Sequence, residues 1–235
     1  MSKLIAVIPA RGGSKGLPNK NILDLHGRPL IEWSIAFAQS QASIDRCIVS
    51  TDSFVIAEVA KQCGAEVPFL RSEMLSSDNA KTADVILDVI DRCSLAGDDK
   101  IILLEPTSPY RTQSSFVRLL RLFDHPECQK AVSVSEAVST SYVFQYSIDF
   151  DTYPVLQKVF DRVDANGLRR QDIDRSYYLD GSFYLSYVHA FLADPGFLGC
   201  NTLAVLNDYF SSFEIDCEND LKLMEAIFHN VGLPF

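Results

Sequence analysis

The sequence predicts an α/β fold: a mainly parallel sheet with helices packed on both faces. Three observations carry this. Aliphatic runs occur without polar alternation, helical apolar spacings lie between them, and the two alternate regularly along the chain. The runs are Leu4–Ile8, Cys47–Val49, Ile101–Leu104 and Ala131–Val134. A strand with one wet face alternates apolar and polar residues, so unbroken runs mark strands covered on both sides. Parallel neighbours need crossover connections, which intervening helices supply.

Taken in order, Leu4–Ile8 is the first strand. Pro29–Gln41 follows as a helix whose proline suits a first-turn position. Phe54–Cys63, Ala80–Cys93 and Gln113–Phe123 carry apolar residues three and four apart, the period of a helix with one buried face. From about residue 135 to 178 the rhythm breaks. Short β-like pieces, Tyr142–Ile148 and Pro154–Val159, and the polar stretch RVDANGLRRQDIDR predict an inserted hairpin or arm within one domain spanning 1–235. Phe183–Tyr187 and Ser211–Ile215 then read as strands, and Asp220–His229 as a closing amphipathic helix. A chain of this length buries roughly 70% of its unfolded surface, enough for a substantial core.

Charge narrows the function classes. The chain has 21 Lys and Arg against 31 Asp and Glu, a formal net charge of −10. Nucleic-acid and anionic-membrane surfaces need a field of Lys and Arg that this total does not supply. The distribution is uneven, however: residues 1–28 hold Lys3, Arg11, Lys15, Lys20 and Arg28 against Asp24 alone. The six cysteines form no C-x-x-C pair, which reads as reduced thiols of a cytoplasmic protein. The opening apolar run is too short for a secretory signal, and no stretch approaches the length of a membrane span. Scattered His26, His125, His189 and His229 give no support to a histidine-based metal site or triad.

Ligands on open parallel sheets bind at the carboxyl ends of the strands. Directly after the first strand comes Pro9-Ala10-Arg11-Gly12-Gly13-Ser14-Lys15-Gly16-Leu17-Pro18-Asn19-Lys20-Asn21. Its glycines let backbone N–H groups approach a ligand, and Arg11, Lys15 and Lys20 are fixed cations beside them, a combination suited to a polyphosphate. The loop fits neither G-x-x-x-x-G-K-[ST] nor G-x-G-x-x-G, which disfavours a P-loop ATPase and a dinucleotide-dependent dehydrogenase. A flexible basic surface loop would give no reason for these cations to gather behind the first buried strand.

The segment IPARGGSKGLPNKN resembles the signature of the CMP-sialic acid synthetases (acylneuraminate cytidylyltransferases). Further blocks resembling that family follow in order: VSTDS at 49–53, AEVPFLR at 65–71, LLEPTSPYRT at 103–112, RRQD at 169–172, DGSFYL at 180–185 and FEIDCENDL at 213–221. The resemblance covers most of the chain. It implies a three-layer, Rossmann-like sheet of the nucleotide-diphospho-sugar transferase type with a small dimerisation arm. It implies an enzyme that joins CTP to a nine-carbon α-keto acid sugar, with Mg²⁺ as cofactor and a homodimer as the assembly.

Residue by residue, the resemblance assigns the triphosphate to the loop, with Gly12, Gly13 and Ser14 in its backbone and Arg11, Lys15, Lys20 and Asn21 on the nucleotide. Arg71, Ala80 and Thr82 fall where the family holds cytosine and ribose; Thr82 replaces a more usual Ser and keeps the hydroxyl. In an extended strand residues i and i+2 share a face, so Glu214 and Asp216 can face one cation while Ile215 packs away. The resemblance makes this the Mg²⁺ site, with Asp216 the stronger ligand. Asp216 could equally cap the following helix, and Asp52 could be a structural turn residue.

Toward the sugar the resemblance places Glu105, Arg170, Gln171 and Asp180. Many relatives carry Gln where Glu105 stands; a Gln donates and accepts hydrogen bonds, whereas an ionised Glu only accepts. Asp180 stands where Asn is frequent. Arg170 and Gln171 match the family's dimerisation arm, from which cations reach the sugar carboxylate in the neighbouring subunit; Arg169 and Arg170 are otherwise a solvated basic pair. No general base is identifiable. Pseudaminate, legionaminate and 3-deoxy-octulosonate are rival acceptors, with RRQD and DGSFYL nearer the sialate and legionaminate branch. A binding protein that kept the fold and lost catalysis is the rival of another class.

Overall fold

The computed structural model describes residues 2–14, 16–137, 145–148, 156–158 and 174–235. Lys15, Arg169, Arg170 and Gln171 lie outside the described residues, as does most of the expected arm.

Strand β1 (Leu4–Pro9) lies between β4 (Arg46–Ser50) and β5 (Lys100–Leu103), parallel to both. The six-stranded sheet runs β10-β6-β9-β5-β1-β4, with β6 at Lys130–Glu136, β9 at Tyr177–Tyr187 and β10 at Leu203–Leu206. Successive side chains of β1 serve opposite faces. Leu4, Ala6 and Ile8 pack with α1 (Leu30–Ser40), α2 (Phe54–Gln62) and α4 (Gln113–Arg121). Ile5 and Val7 pack with α3 (Thr82–Arg92) and α5 (Val188–Ala193). Both faces are therefore apolar and covered, which is why the aliphatic runs show no alternation. Helices α2 and α4 begin where the sequence supplies caps: Ser53 Oγ accepts the Ile56 N–H at 3.4 Å and Thr112 Oγ1 accepts the Ser115 N–H at 3.3 Å. Pro29 sits one residue before α1, in the two-residue strand β3 (Arg28–Pro29) paired with β2 (Asp24–Leu25).

The structure differs from the sequence expectation in three respects. First, β9 extends back to Tyr177 and runs antiparallel to both β5 and β6. The bend that hides its first half from periodicity is at Asp180-Gly181-Ser182. There the pairing with β6 slips, so that Val132 faces Tyr184 while Val134 faces Leu179. Gly181 takes φ +71°, a left-handed conformation open to glycine at little cost. Second, β10 and the short helix α5 were not expected. Of the β10 residues only Val205 is buried, so an aliphatic run does not stand out. Third, Ser211–Ile215 is not a strand. Tyr209–Ser212 forms a 3-10 turn instead. Phe210 and Phe213, three residues apart, both pack on the cluster around Trp33 and Phe228 from α1 and α6 (Glu218–Val231), and a three-residue turn brings such positions together as a strand does not. Ile215 keeps one sheet-like bond, its N–H donating to Thr107 O at 2.8 Å.

Of the expected arm pieces, Tyr146–Ile148 (β7) and Leu156–Lys158 (β8) are described and pair antiparallel. No helix among the described residues is long and apolar enough to cross a membrane.

Candidate active site

A cleft of ≈ 480 Å³ opens beyond the carboxyl ends of β1 and β5. Its lining includes Arg11, Ser14, Gly16, Lys20 and Asn21 from the first loop, Arg71, Ala80 and Thr82 from the approach to α3, and Glu105 and Asp216 opposite. Segments far apart in sequence meet here because parallel strands deliver their following loops to one edge.

The loop is fixed at both ends. Gly12 N–H donates to Asp52 Oδ1 at 2.9 Å, which anchors it to the end of β4. Asn21, itself buried, donates from Nδ2 to Arg11 O at 3.0 Å, folding the second half back on the first. Asp52 is thus a structural tie, and the Gly12 N–H is spent on it rather than turned to a ligand; neither Gly12 nor Gly13 lines the cleft. Gly16 does, and closely: a Cβ there would meet Asp216 O at 2.5 Å. Gly13 has nothing within 4 Å of that position.

The cations are held by carboxylates. Lys20 Nζ pairs with Asp216 Oδ1 at 2.9 Å and Arg11 Nη1 with Asp78 Oδ1 at 2.8 Å. Arg71 is buried, donates from Nε to Ser76 Oγ at 3.1 Å and faces Asp52 at 3.9 Å. Burial lowers its pKa and Arg11 adds to the lowering, while Asp52 and Asp88 oppose it. An anion entering the cleft therefore meets three guanidinium or ammonium groups, one of them poorly hydrated, and the amino end of α3, which carries partial positive charge.

Across from them the cleft is acidic. Glu105 has its pKa raised by burial and by Asp216, against the pull of Arg111 and Lys20. Glu214 lies against Gly181 and Ser108, outside the cleft lining. Burial, then Glu105, Asp216 and Asp180, push its pKa up to about 7. Asp216 is exposed and lines the cleft. It does not cap α6: Asp220 does that, its Oδ2 accepting the N–H groups of Asp216 and Cys217 at 2.9 and 2.8 Å. The alternation expected at 214–216 survives in that Ile215 is fully buried between the two acids.

Asp180, expected toward the sugar, is 1% exposed and stitches the bend in β9. It accepts from Ser133 Oγ, from Ser135 Oγ at 2.9 Å and from Ser182 N–H at 3.1 Å, and it does not line the cleft. Arg11, Lys20, Asn21, Ser14, Arg71, Ala80, Thr82, Glu105 and Asp216 do.

No group of three or more His, Cys, Asp or Glu among the described residues is arranged to hold a metal by itself. The donor set fits a different arrangement. Mg²⁺ takes one or two carboxylates and completes its shell with substrate phosphates and water, and Asp216 offers one exposed carboxylate beside the space facing the cations.

Two residues escaped sequence reasoning. Asp78 pairs with Arg11, and only its place in the loop before α3 hinted at this. Arg111 is 0% exposed. Its three donor directions go to neutral acceptors: Nε to Ser182 O at 2.8 Å, Nη1 to Ser34 Oγ at 2.9 Å and Nη2 to Glu105 O at 2.6 Å. Burial lowers its pKa to about 9, opposed by the fields of Glu105, Asp180 and Glu214. Nothing in periodicity distinguishes an arginine destined for the interior.

Fold and cleft together define a nucleotidyltransferase: an open α/β sheet whose first loop presents cations to a cleft, with a carboxylate across it. The cytidylyltransferase family model matches residues 5–111. The chain is 32% identical over 228 residues to the CMP-N,N'-diacetyllegionaminic acid synthase of Legionella pneumophila, covering 96% of each. It is 31% identical to the N-acylneuraminate cytidylyltransferase of Escherichia coli O18:K1:H7, covering 96% of this chain and 52% of that one. Its fold matches that of a CMP:2-keto-3-deoxy-manno-octonic acid synthetase solved with CTP, at TM-score 0.70 and 18% identity, over 98% of this chain and 100% of that one. The chain belongs to the cytidylyltransferase family and is a nucleotidyltransferase.

Gly16→Ala should weaken CTP binding about tenfold or more, a change of roughly 1.4 kcal/mol, because the added Cβ collides with the Asp216 backbone. Gly13→Ala should stay within about 0.5 kcal/mol of wild type. Calorimetric titration of both variants checks the contrast.

Glu214 gives a pH dependence with a definite sign. A carboxyl whose folded pKa is raised binds protons more tightly in the folded state, so its ionisation lowers stability as pH rises from the ordinary range of about 4.5 to about 7. In metal-free buffer Glu214→Gln should melt higher than wild type at pH 8, and the gap should close at pH 5. A gap that is constant with pH would contradict the burial of an ionisable Glu214.

Proposed function

We propose that the protein forms a CMP-sugar and pyrophosphate from CTP and a nine-carbon α-keto acid sugar of the sialic or legionaminic type. The anomeric hydroxyl attacks the α-phosphorus. An O–P bond forms there, the bond to the β-phosphate bridging oxygen breaks, and the hydroxyl proton is lost. The observation that carries the reading is the division of one cleft into a cationic side, Arg11, Lys20 and Arg71, and an acidic side, Asp216 and Glu105. Pyrophosphate gains negative charge as it leaves, and cations already in place stabilise that charge without rearrangement. Lys15, which follows Ser14 in the sequence of that loop, is assigned to the phosphates with them.

Asp216 would hold Mg²⁺, with Glu214 acting behind it. An ion held there would offset phosphate charge and would acidify the attacking hydroxyl. Lys20, now tied to Asp216, turns to the phosphates once the nucleotide is in. Arg71, Ala80 and Thr82 are assigned to the base and ribose, and Glu105 to the acceptor sugar. Arg170 and Gln171 reach the acceptor carboxylate from the second subunit of a cytoplasmic homodimer, where a bidentate Arg suits such a group. The names of the two relatives given above support an acceptor of the sialate or legionaminate kind.

Incubation with CTP, Mg²⁺ and a panel of these four sugars, followed by pyrophosphate release, tests the reading. Release is expected with N,N'-diacetyllegionaminate or N-acetylneuraminate, and Asp216→Ala should reduce it by about 10²–10³, the loss typical of a deleted electrostatic stabiliser. No release with any acceptor would favour the binding-only alternative. A full rate in Asp216→Ala would remove the metal assignment.

A further inference from the structure

Arg111 is a fully buried cation that makes no ion pair among the described residues, yet each of its three guanidinium nitrogens donates a hydrogen bond. The acceptors belong to three different segments: Ser182 O in the bend of β9, Ser34 Oγ in α1, and Glu105 O directly after β5. Ser34 Oγ itself donates to Glu105 O at 3.2 Å, so the Glu105 carbonyl is held from two sides. Glu105 lines the cleft at that fixed point, beside Pro106 and Thr107.

A neutral donor would satisfy these acceptors without burying a charge, and burying a charge is costly unless the charge is used. The charge here is placed toward carboxylates: Arg111 acts on Glu105, and Glu105, Asp180 and Glu214 act on Arg111. Only Glu105 of these three lines the cleft. The guanidinium therefore fixes the backbone position of Glu105 and supplies a countercharge behind its carboxylate. Lysine, a point charge on a flexible stem, cannot make three bonds in one plane to three segments.

We propose that Arg111 is a positioning residue for the acceptor sugar, acting through Glu105 and not on the nucleotide. This rests on the reading that Glu105 meets the acceptor. Ser34 is its partner in the same task, because it bonds both to the guanidinium and to the Glu105 carbonyl.

The test separates acceptor from nucleotide by equilibrium titration. Arg111→Lys, Ser34→Ala, Glu105→Ala and the double variants with Glu105→Ala are first checked for folding by thermal melting. Each is titrated with a non-hydrolysable CTP analogue, then, saturated with it, with N-acetylneuraminate and N,N'-diacetyllegionaminate. Nucleotide affinity should stay within about twofold of wild type in every folded variant. Acceptor affinity should fall about tenfold in Arg111→Lys and by a smaller factor in Ser34→Ala, and in the Glu105→Ala background, where no side chain is left to position, both effects should shrink below about twofold, the signature of coupled residues.

Parallel losses of nucleotide and acceptor affinity, or effects that multiply independently of Glu105, would reduce Arg111 to a structural strut and overturn the proposal. If Arg111→Lys does not fold, Ser34→Ala alone decides by the same criteria. Wild-type protein that binds neither sugar would overturn the acceptor reading and this inference with it. Sugar binding with uncoupled variants would overturn this inference only.

Discussion

Lys20 and Asp216 stand 196 residues apart in sequence and meet at 2.9 Å across the cleft. The site is organised around this contact, which ties the first loop to the segment before the last helix. Gly16 presses against the Asp216 backbone from the same loop. As a contribution to stability such a pair is small, because Asp216 is largely exposed and water screens it. Its value is in keeping opposite charges facing each other over a space of substrate size. In the proposed reaction, phosphates entering that space would replace a carboxylate as the partner of Lys20 and free that carboxylate for a cation.

Arg111 plays the corresponding part inside the protein. It is buried where the acid-rich side of the cleft joins the sheet, and it links β5, α1 and the bend in β9. The bend depends on Gly181 for its left-handed backbone and on Asp180 for three hydrogen bonds that replace lost ladder pairing. A single Asp-Gly-Ser step thereby delivers Ser182 O to the guanidinium and sets Gly181 against Glu214. Local backbone chemistry and site electrostatics are one arrangement here.

Strands β1, β4, β5 and β6 were legible in the sequence because burial on both faces leaves aliphatic runs without polar alternation. The first loop was legible because three cations and three glycines follow directly on such a strand. What stayed hidden was decided by tertiary contacts. Phe210 and Phe213 reach the α1–α6 cluster by a three-residue turn, so a stretch with strand-like composition does not join the sheet. Asp180 has the residue type of a substrate ligand, but two serines on β6 lie opposite it, and that pairing follows from a register slip no spacing reveals. Arg111 reads as one more basic residue before a helix until the fold closes around it.

The central claim is that the cations of the first loop take the phosphates of a nucleotide. Calorimetric titration with cytidine, CMP, CDP and CTP tests it most directly. Affinity should climb with each phosphate, CTP should bind at least about 100-fold more tightly than cytidine, a gap of roughly 2.7 kcal/mol, and the advantage should shrink as salt is added. Cytidine binding as tightly as CTP, or a CTP affinity indifferent to salt, would contradict the account.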